Sequence, residues 1–475
     1  MMALRSVLSS RVPLVIILGA TGTGKTKLGI ELAQKFDTEI ISADSMQIYK
    51  GLDIVTAKAS AQEQAQAPHH LLDMLQPHQV FTVVDFRSRA LQIIENLMQQ
   101  NKLPIIVGGT NYYVESIVYK ILVEETDDTE ELLWDRSRRK RDGEHSCGTP
   151  NKKTATTSHP DDCDETVART TEITKDSVKE FVDNEEQYTN EEILDKLRAI
   201  DPAMASRYHP NNRRKILRSI EVWLKTGKRH SDLLSEQRHS EGKLRFPGDT
   251  VILWLKCQQD VHDERLNARV DAMLAAGLIA ELLDFHERHN KQRIQDGRPA
   301  DYTKGIFQSL GFKEFHEYLM LPADQRQTTE GEALLQQSID NMKMATRRYA
   351  RRQNKMTRSR FLEHPRREVP PIYELDVTDI LHWEELVRNK AISIIESFVN
   401  KKPCDYIPVE SKMEGAKKDL NSHSSNYCEI CERLIIGDKE FAIHMNSRKH
   451  LRVIKAKKRI EAKKKKEEEN SSELE

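Results

Sequence analysis

Apolar residues along this chain fall into two rhythms. Unbroken runs at Leu14–Leu18, Leu103–Val107 and Val251–Leu255 are short and bounded by turn residues, which reads as strands buried on both faces. Glu39–Ser42 is a shorter run of the same kind and ends at Ala43-Asp44-Ser45. Elsewhere the spacing is helical. Val83, Val84, Ala90, Leu91, Ile94 and Leu97 predict a helix over Phe81–Gln99. Leu266, Val270, Met273, Leu274, Leu278 and Leu282 predict a single helix with one apolar face after the third run. Helical signal also runs from Glu191 to Leu224, and a long basic helix is expected from about Glu332 to Arg360. Strands alternating with helices imply an α/β fold, a parallel sheet with flanking helices whose ligands sit beyond the C-terminal strand ends.

The rhythm stops between Thr126 and Asn190. This stretch is polar, and Arg136–Thr174 has too few large apolar residues to order itself. The expected organisation is a leader at 1–12, a first core segment at 13–124, a helical insertion with a disordered acidic segment at 125–210, and a second core segment with the basic helix at 211–376. A helix and linker at 377–424, a zinc finger at 425–455 and a charged tail at 456–475 complete it.

Charge sharpens the picture. The net charge is −1, but the distribution is uneven. Asp161–Glu192 holds 12 acidic and 3 basic residues. Asn341–Arg367 holds 10 Lys or Arg against one Glu, and Arg452–Lys466 holds 9 against one. Dense basic segments suit a polyanionic partner, though solvated helix faces carry such charge too. No apolar run approaches the roughly 18 residues of a membrane span, and six cysteines in 475 residues are no disulfide scaffold. The N-terminal stretch has Arg and Ser and no acid before Glu31, so it reads equally as a short mitochondrial presequence or as a plain leader. The expected locations are mitochondrion and cytoplasm, with the basic tail as a nuclear address or an RNA contact.

Four motifs carry chemistry. GATGTGKT, residues 19–26, follows the first strand and opens a helix, the context of a phosphate cradle. Gly19, Ala20, Thr21, Gly22, Thr23 and Gly24 supply the turn, Lys25 neutralises phosphate charge, and Thr26 is the expected Mg²⁺ ligand. Asp44, just past a strand end, suits a base or a metal ligand, or simply caps a turn. Cys428-x2-Cys431-x12-His444-x5-His450 has the donors and spacing of a tetrahedral Zn²⁺ site. Arg347, Arg348, Arg351 and Arg352 recur at helical spacing beside Tyr349, and Arg213-Arg214-Lys215 with Arg218 forms a second basic cluster. On these residues alone a P-loop kinase of a nucleoside or small metabolite stays open, as does an RNA-binding protein with a disused P-loop. The intact Gly24-Lys25-Thr26 weighs against the second. The basic clusters, the finger and the lack of an apolar strand ending in Asp weigh against the first.

GATGTGKT, ADSMQIYKGLDIVTAK, APHHLLD, LPIIVGGTNYY, HPNNRRKILRSIEV, ARVDAMLAAG, GIFQSLGFKEF and TRRYARRQ occur in this order. Together they closely resemble the tRNA dimethylallyltransferase family from about Pro13 to Asp376, the acidic insertion apart, and the finger is similar to that of its eukaryotic members. The resemblance implies dimethylallyl diphosphate in the P-loop with Mg²⁺, and a target adenosine, position 37, flipped from the tRNA anticodon stem-loop. It implies Asp44 as general base, with Thr21, Lys25 and Arg269 assisting the departing diphosphate. It implies tRNA contacts at Asp44, Ser45, Met46, Gln47 and Thr110, and along Arg214, Lys215, Ile216, Leu217 and Arg218. The helical insertion would close over the anticodon stem. A monomer without membrane attachment is expected.

Overall fold

The computed structural model describes residues 12–79, 81–120, 175–240, 242–291, 302, 305–364, 367–410 and 424–459. The expected leader and most of the acidic segment lie outside them. The chain divides into two compact units, one of residues 1–122 and 240–416, the other of 123–239 and 417–475.

The first unit is built on six parallel strands: β1 (Leu14–Gly19), β2 (Ile40–Ser42), β3 (His69–His70), β4 (Ile105–Gly108), β5 (Thr250–Lys256) and β6 (Ile372–Asp376). Their order in the sheet is β3-β2-β4-β1-β5-β6. The central strand β1 is wholly buried, and its residues alternate between two cores. Leu14, Ile16 and Leu18 face one core, packed by α2 (Val83–Gln99) and α3 (Asn111–Val118). Val15 and Ile17 face the other, with Leu28 and Leu32 of α1 (Lys25–Lys35). Burial on both faces explains why β1 and β5 read as continuous apolar runs. β3 and β6 are edge strands that the apolar pattern did not reveal.

Three readings are corrected in this region. The segment after β5 is two helices. Gly277 adopts φ 99° and separates α8 (Gln259–Ala275) from α9 (Leu278–His289), because a positive φ ends a helical ladder. Ordered structure resumes earlier than Glu191: α4 (Lys175–Asp183) buries Val178, Phe181 and Val182 at helical spacing and exposes Glu180. The second unit also runs past 210. α5 (Asn190–Ile200), α6 (Arg213–Thr226) and α7 (His230–Ser240) follow α4, and Ile193, Leu197, Ile216, Leu217 and Ile220 share its core. The chain returns to the first unit only at residue 240.

In the first unit, α10 (Thr329–Thr357) is the long basic helix, and α11 (Lys390–Val399) packs on the second core. In the second unit, an antiparallel pair, β7 (Ser425–Cys428) and β8 (Arg433–Ile436), leads into α12 (Asp438–Met445). No helix among the described residues is long and apolar enough to cross a membrane.

Candidate active site and metal centre

The loops after β1, β2 and β4 emerge at one end of the sheet. Gly24 caps α1 in the left-handed region at φ 85° and offers no side chain to the first turn, which also lacks an acid. The first amides of α1 therefore stay open to an anion. A Cβ on Gly24 would lie 2.8 Å from the Trp383 ring. Trp383 is nearly buried, donates Nε1–H to Glu31 at 2.9 Å, and carries Lys27 over its face at 4.6 Å. It therefore buttresses the outer side of the P-loop.

Inside the loop, Thr23 Oγ1 and Lys25 Nζ each donate to the Ala20 carbonyl at 2.8 Å. Burial pushes the Lys25 ammonium down to about 8, the Arg269 charge adds to this, and the Asp44 charge opposes it. Arg269, on α8, is lowered by burial while Asp44 and Glu63 oppose the change. Lys25, Arg269 and Asp44 therefore feel one another's fields. Two cations and one carboxylate lie within reach of one another's charge beside the P-loop.

Asp44 stands two residues past the end of β2. Its Oδ1 accepts the Met46 N–H at 2.8 Å and the Gln47 N–H at 3.4 Å, while Oδ2 has no hydrogen bond among the described residues. Thr110, after β4, accepts the Ser45 N–H at 3.1 Å. Gln47 turns inward and donates to the Thr56 and Ala57 carbonyls at 3.2 and 3.1 Å. The Asp44 turn is thus fixed by its own amides and by the GGT turn.

The basic helix divides its arginines. Arg347 bonds Asn267, Arg351 pairs with Asp263, and Lys343 pairs with Asp271 at 2.5 Å, all on α8. These three residues lock α10 to α8. Arg348 and Arg352 point outward and make no ion pair among the described residues. With Tyr349, 38% exposed, they border a cavity of about 600 Å³ that Lys313, His316 and Glu317 also line. Burial pushes the Tyr349 phenol up, and the Asp44 charge adds to it.

In the second unit Arg214 and Lys215 are exposed and Arg218 is half-exposed beside Glu221 at 3.7 Å. Ile216 and Leu217 are fully buried in the helical core, which removes their side chains as RNA contacts.

Two residues of the site were missed. Gln353 and His262 are buried and both bond the backbone of Thr21. Gln353 ends the quoted TRRYARRQ motif, but a single polar residue on a basic helix gives no signal of its own.

Cys428, Cys431, His444 and His450 come together with their ligand atoms within 4.8 Å of one another. The His450 Nδ1 lies 3.7 and 3.3 Å from the two sulfurs. The His444 Nε2 is buried without a hydrogen-bond partner. Two thiols and two imidazoles around an orphaned ring nitrogen fit a tetrahedral metal ion such as zinc.

The IPP transferase family pattern matches residues 47–360. The chain belongs to the IPP transferase family. Among its relatives are the tRNA dimethylallyltransferase of Mus musculus, 41% identical over 94% of this chain and 87% of the relative, and that of Homo sapiens, 40% identical over 96% and 88%. The Saccharomyces cerevisiae tRNA dimethylallyltransferase is 29% identical over 94% and 93%. A solved structure described as a eukaryotic dimethylallyltransferase acting on tRNA superposes with a TM-score of 0.69 at 28% identity, covering 96% of this chain and all of the other. A six-stranded parallel sheet with a Cys2His2 centre is thus an IPP transferase core with an appended metal module, and the kinase reading falls.

Proposed function

We propose that this protein transfers the dimethylallyl group of dimethylallyl diphosphate to N6 of adenosine 37, 3′-adjacent to the anticodon, in tRNA. The carrying observation is the meeting of opposite charges beside one open P-loop. The open P-loop amides are joined by the cations Lys25 and Arg269, and Asp44, with an unused carboxylate oxygen, is close enough to oppose the loss of both charges.

The N6 nitrogen attacks the allylic carbon, an N–C bond forms, and the C–O bond to diphosphate breaks. Pyrophosphate leaves with the electron pair, and Asp44 takes the N6 proton. The P-loop amides, Lys25 and Arg269 meet the negative charge that grows on the leaving group, with the Thr21 hydroxyl beside them. Mg²⁺ would supply further positive charge there, held by the Thr26 hydroxyl and the diphosphate oxygens. Nucleotides of the anticodon loop run along Ser45, Met46, Thr110 and the outward face of α10, with Arg348 and Arg352 on phosphates and Tyr349 stacking. Gln47 serves the site by holding the loop. Arg214, Lys215 and Arg218 supply a further phosphate-binding row. The metal of the Cys428–His450 module is zinc, and the module adds tRNA affinity. The protein acts as a monomer in mitochondria and cytoplasm, and its basic tail also suits nuclear entry.

The test is incubation of the full chain and Mg²⁺ with labelled dimethylallyl diphosphate and unmodified tRNA bearing A37. Label should appear in N6-isopentenyladenosine. No label in tRNA with folded protein would end the proposal.

A further inference from the structure

The backbone of Thr21 is held from two directions by buried side chains that lie outside the P-loop. The Gln353 Oε1 accepts the Thr21 N–H at 2.9 Å, and the same side chain donates Nε2–H to the Gly109 carbonyl at 3.1 Å. The His262 Nε2 donates to the Thr21 carbonyl at 2.8 Å. Both residues are buried, at 4% and 1% exposure. Burial lowers the His262 imidazole below its ordinary value, so it stands as a neutral ring with Nε2 as the donor.

Each holder is anchored in turn. The Gln353 main-chain carbonyl accepts from Asn111 Nδ2 at 3.3 Å and from Thr357 Oγ1 at 3.1 Å. Gln353 sits on α10 and His262 on α8, and Lys343–Asp271, Arg347–Asn267 and Arg351–Asp263 join these helices along their length. The arginines that face outward, Arg348 and Arg352, belong to the same α10. One stiff pair of helices therefore grips the P-loop, while its outer face is the surface assigned above to tRNA.

We infer that Gln353 and His262 are positioning residues that aim the Thr21 hydroxyl at the leaving diphosphate, and that the α8–α10 pair ties this aim to the tRNA-facing surface. The kinetic part rests on the transferase reading. The physical reason is reach: a short threonine side chain can be aimed only by fixing its backbone, and a misplacement of about 1 Å lowers rate about 100-fold.

The experiment uses full-length protein with Mg²⁺. Gln353→Leu removes the bonds to Thr21 and Gly109, and with them the side-chain bond to Tyr349, at similar volume. His262→Leu removes one, and His262→Gln keeps an N–H within reach of the Thr21 carbonyl. Expected are kcat losses of about 10- to 100-fold for the two leucine variants, tRNA affinity within about twofold of wild type, and substantial recovery in His262→Gln. A role in packing alone would favour leucine over glutamine at 262. Adding Gln353→Leu to Thr21→Ala should cost less than about twofold more, because the aimed group is already gone. Full additivity, or kcat within about twofold of wild type in both leucine variants, overturns the inference. Pyrophosphate binding by calorimetry separates the two readings, since the gripped loop also forms the cradle. If wild type transfers nothing, the transferase proposal has failed, yet weaker pyrophosphate binding in Gln353→Leu still upholds the grip. Unchanged pyrophosphate affinity in that case overturns it.

Discussion

Raising the pH should disable the donor site before the rest of the core, and Lys25 sets where. Burial, helped by the nearby Arg269 charge and opposed by Asp44, brings its ammonium from 10.5 to about 8. A group titrating there is about nine-tenths charged near pH 7 and about one-tenth charged near pH 9. Free enzyme must carry the charge to receive a diphosphate, while a bound diphosphate restores it. Donor kcat/KM should therefore fall about tenfold between those pH values while kcat at saturating donor holds, so the loss is all in KM. The assay is initial-rate transfer of labelled donor to saturating tRNA across that range. Lys25→Arg keeps its charge throughout and should flatten the alkaline limb, whatever it does to the absolute rate. A profile flat beyond about pH 9, or an alkaline fall that persists in Lys25→Arg, refutes the reasoning. Stability runs the other way. The folded-state value is depressed for a cation, so the charged lysine burdens the empty fold at every pH below about 8. That burden is relieved as pH rises from 8 towards the ordinary 10.5. Thermal unfolding of the ligand-free protein should show a compensating gain over that window, and pyrophosphate should remove it.

Other outcomes follow from the same geometry. Asp44→Asn preserves an oxygen for the Met46 and Gln47 amides, so tRNA affinity should hold within about twofold while kcat falls about 100-fold or more, measured by filter binding and single turnover. Collapse of tRNA binding instead would make Asp44 a contact residue. Gly24→Ala places a Cβ 2.8 Å from the Trp383 ring at a φ of 85°, a backbone penalty of about 1–3 kcal/mol before any clash. Donor KM should rise steeply in steady-state assays, and wild-type KM would refute the close fit. Cys428→Ser should reduce bound zinc by mass spectrometry and unfold residues 424–459, while donor-site pyrophosphate affinity is retained. Retained zinc would refute the ligand assignment.

The sequence disclosed what depends on local pattern. β1 and β5 were legible because central parallel strands bury both faces, and the P-loop because its glycines have a fixed spacing. The metal site was legible because two thiols and two imidazoles fall at a module's spacing. β3 and β6 were not, since edge strands of two and five residues lean on partners distant in sequence. The break at Gly277 was missed because Leu278 and Leu282 continue the apolar spacing of α8 across it. The division of labour among Arg347, Arg348, Arg351 and Arg352 depends on Asn267 and Asp263, some 80 and 88 residues away. The holders of Thr21 lie 332 and 241 residues from it. Periodicity assigns a face to each residue of a helix but does not name what that face meets.

In the proposed mechanism, strand order lets one carboxylate serve as base without joining the phosphate site. β4 lies between β2 and β1, and neighbouring strands are about 4.8 Å apart, so the end of β2 stands about 10 Å from the end of β1. β4, on the Asp44 side of β1, ends at Gly108 and runs into Gly109-Thr110, with no acid to ligate a cation next to Thr26. In that mechanism Asp44, one strand further out, leaves room for the allylic carbon and the amine between itself and the diphosphate. Its charge still reaches Lys25 and Arg269, which opposes their loss of protons in the empty site. Gly109→Asp would meet Gln353, whose side chain already occupies the space of a Cβ there. The Gln353 contact therefore does two things at once: it steadies Thr21 and fills the space that a side chain at position 109 would need.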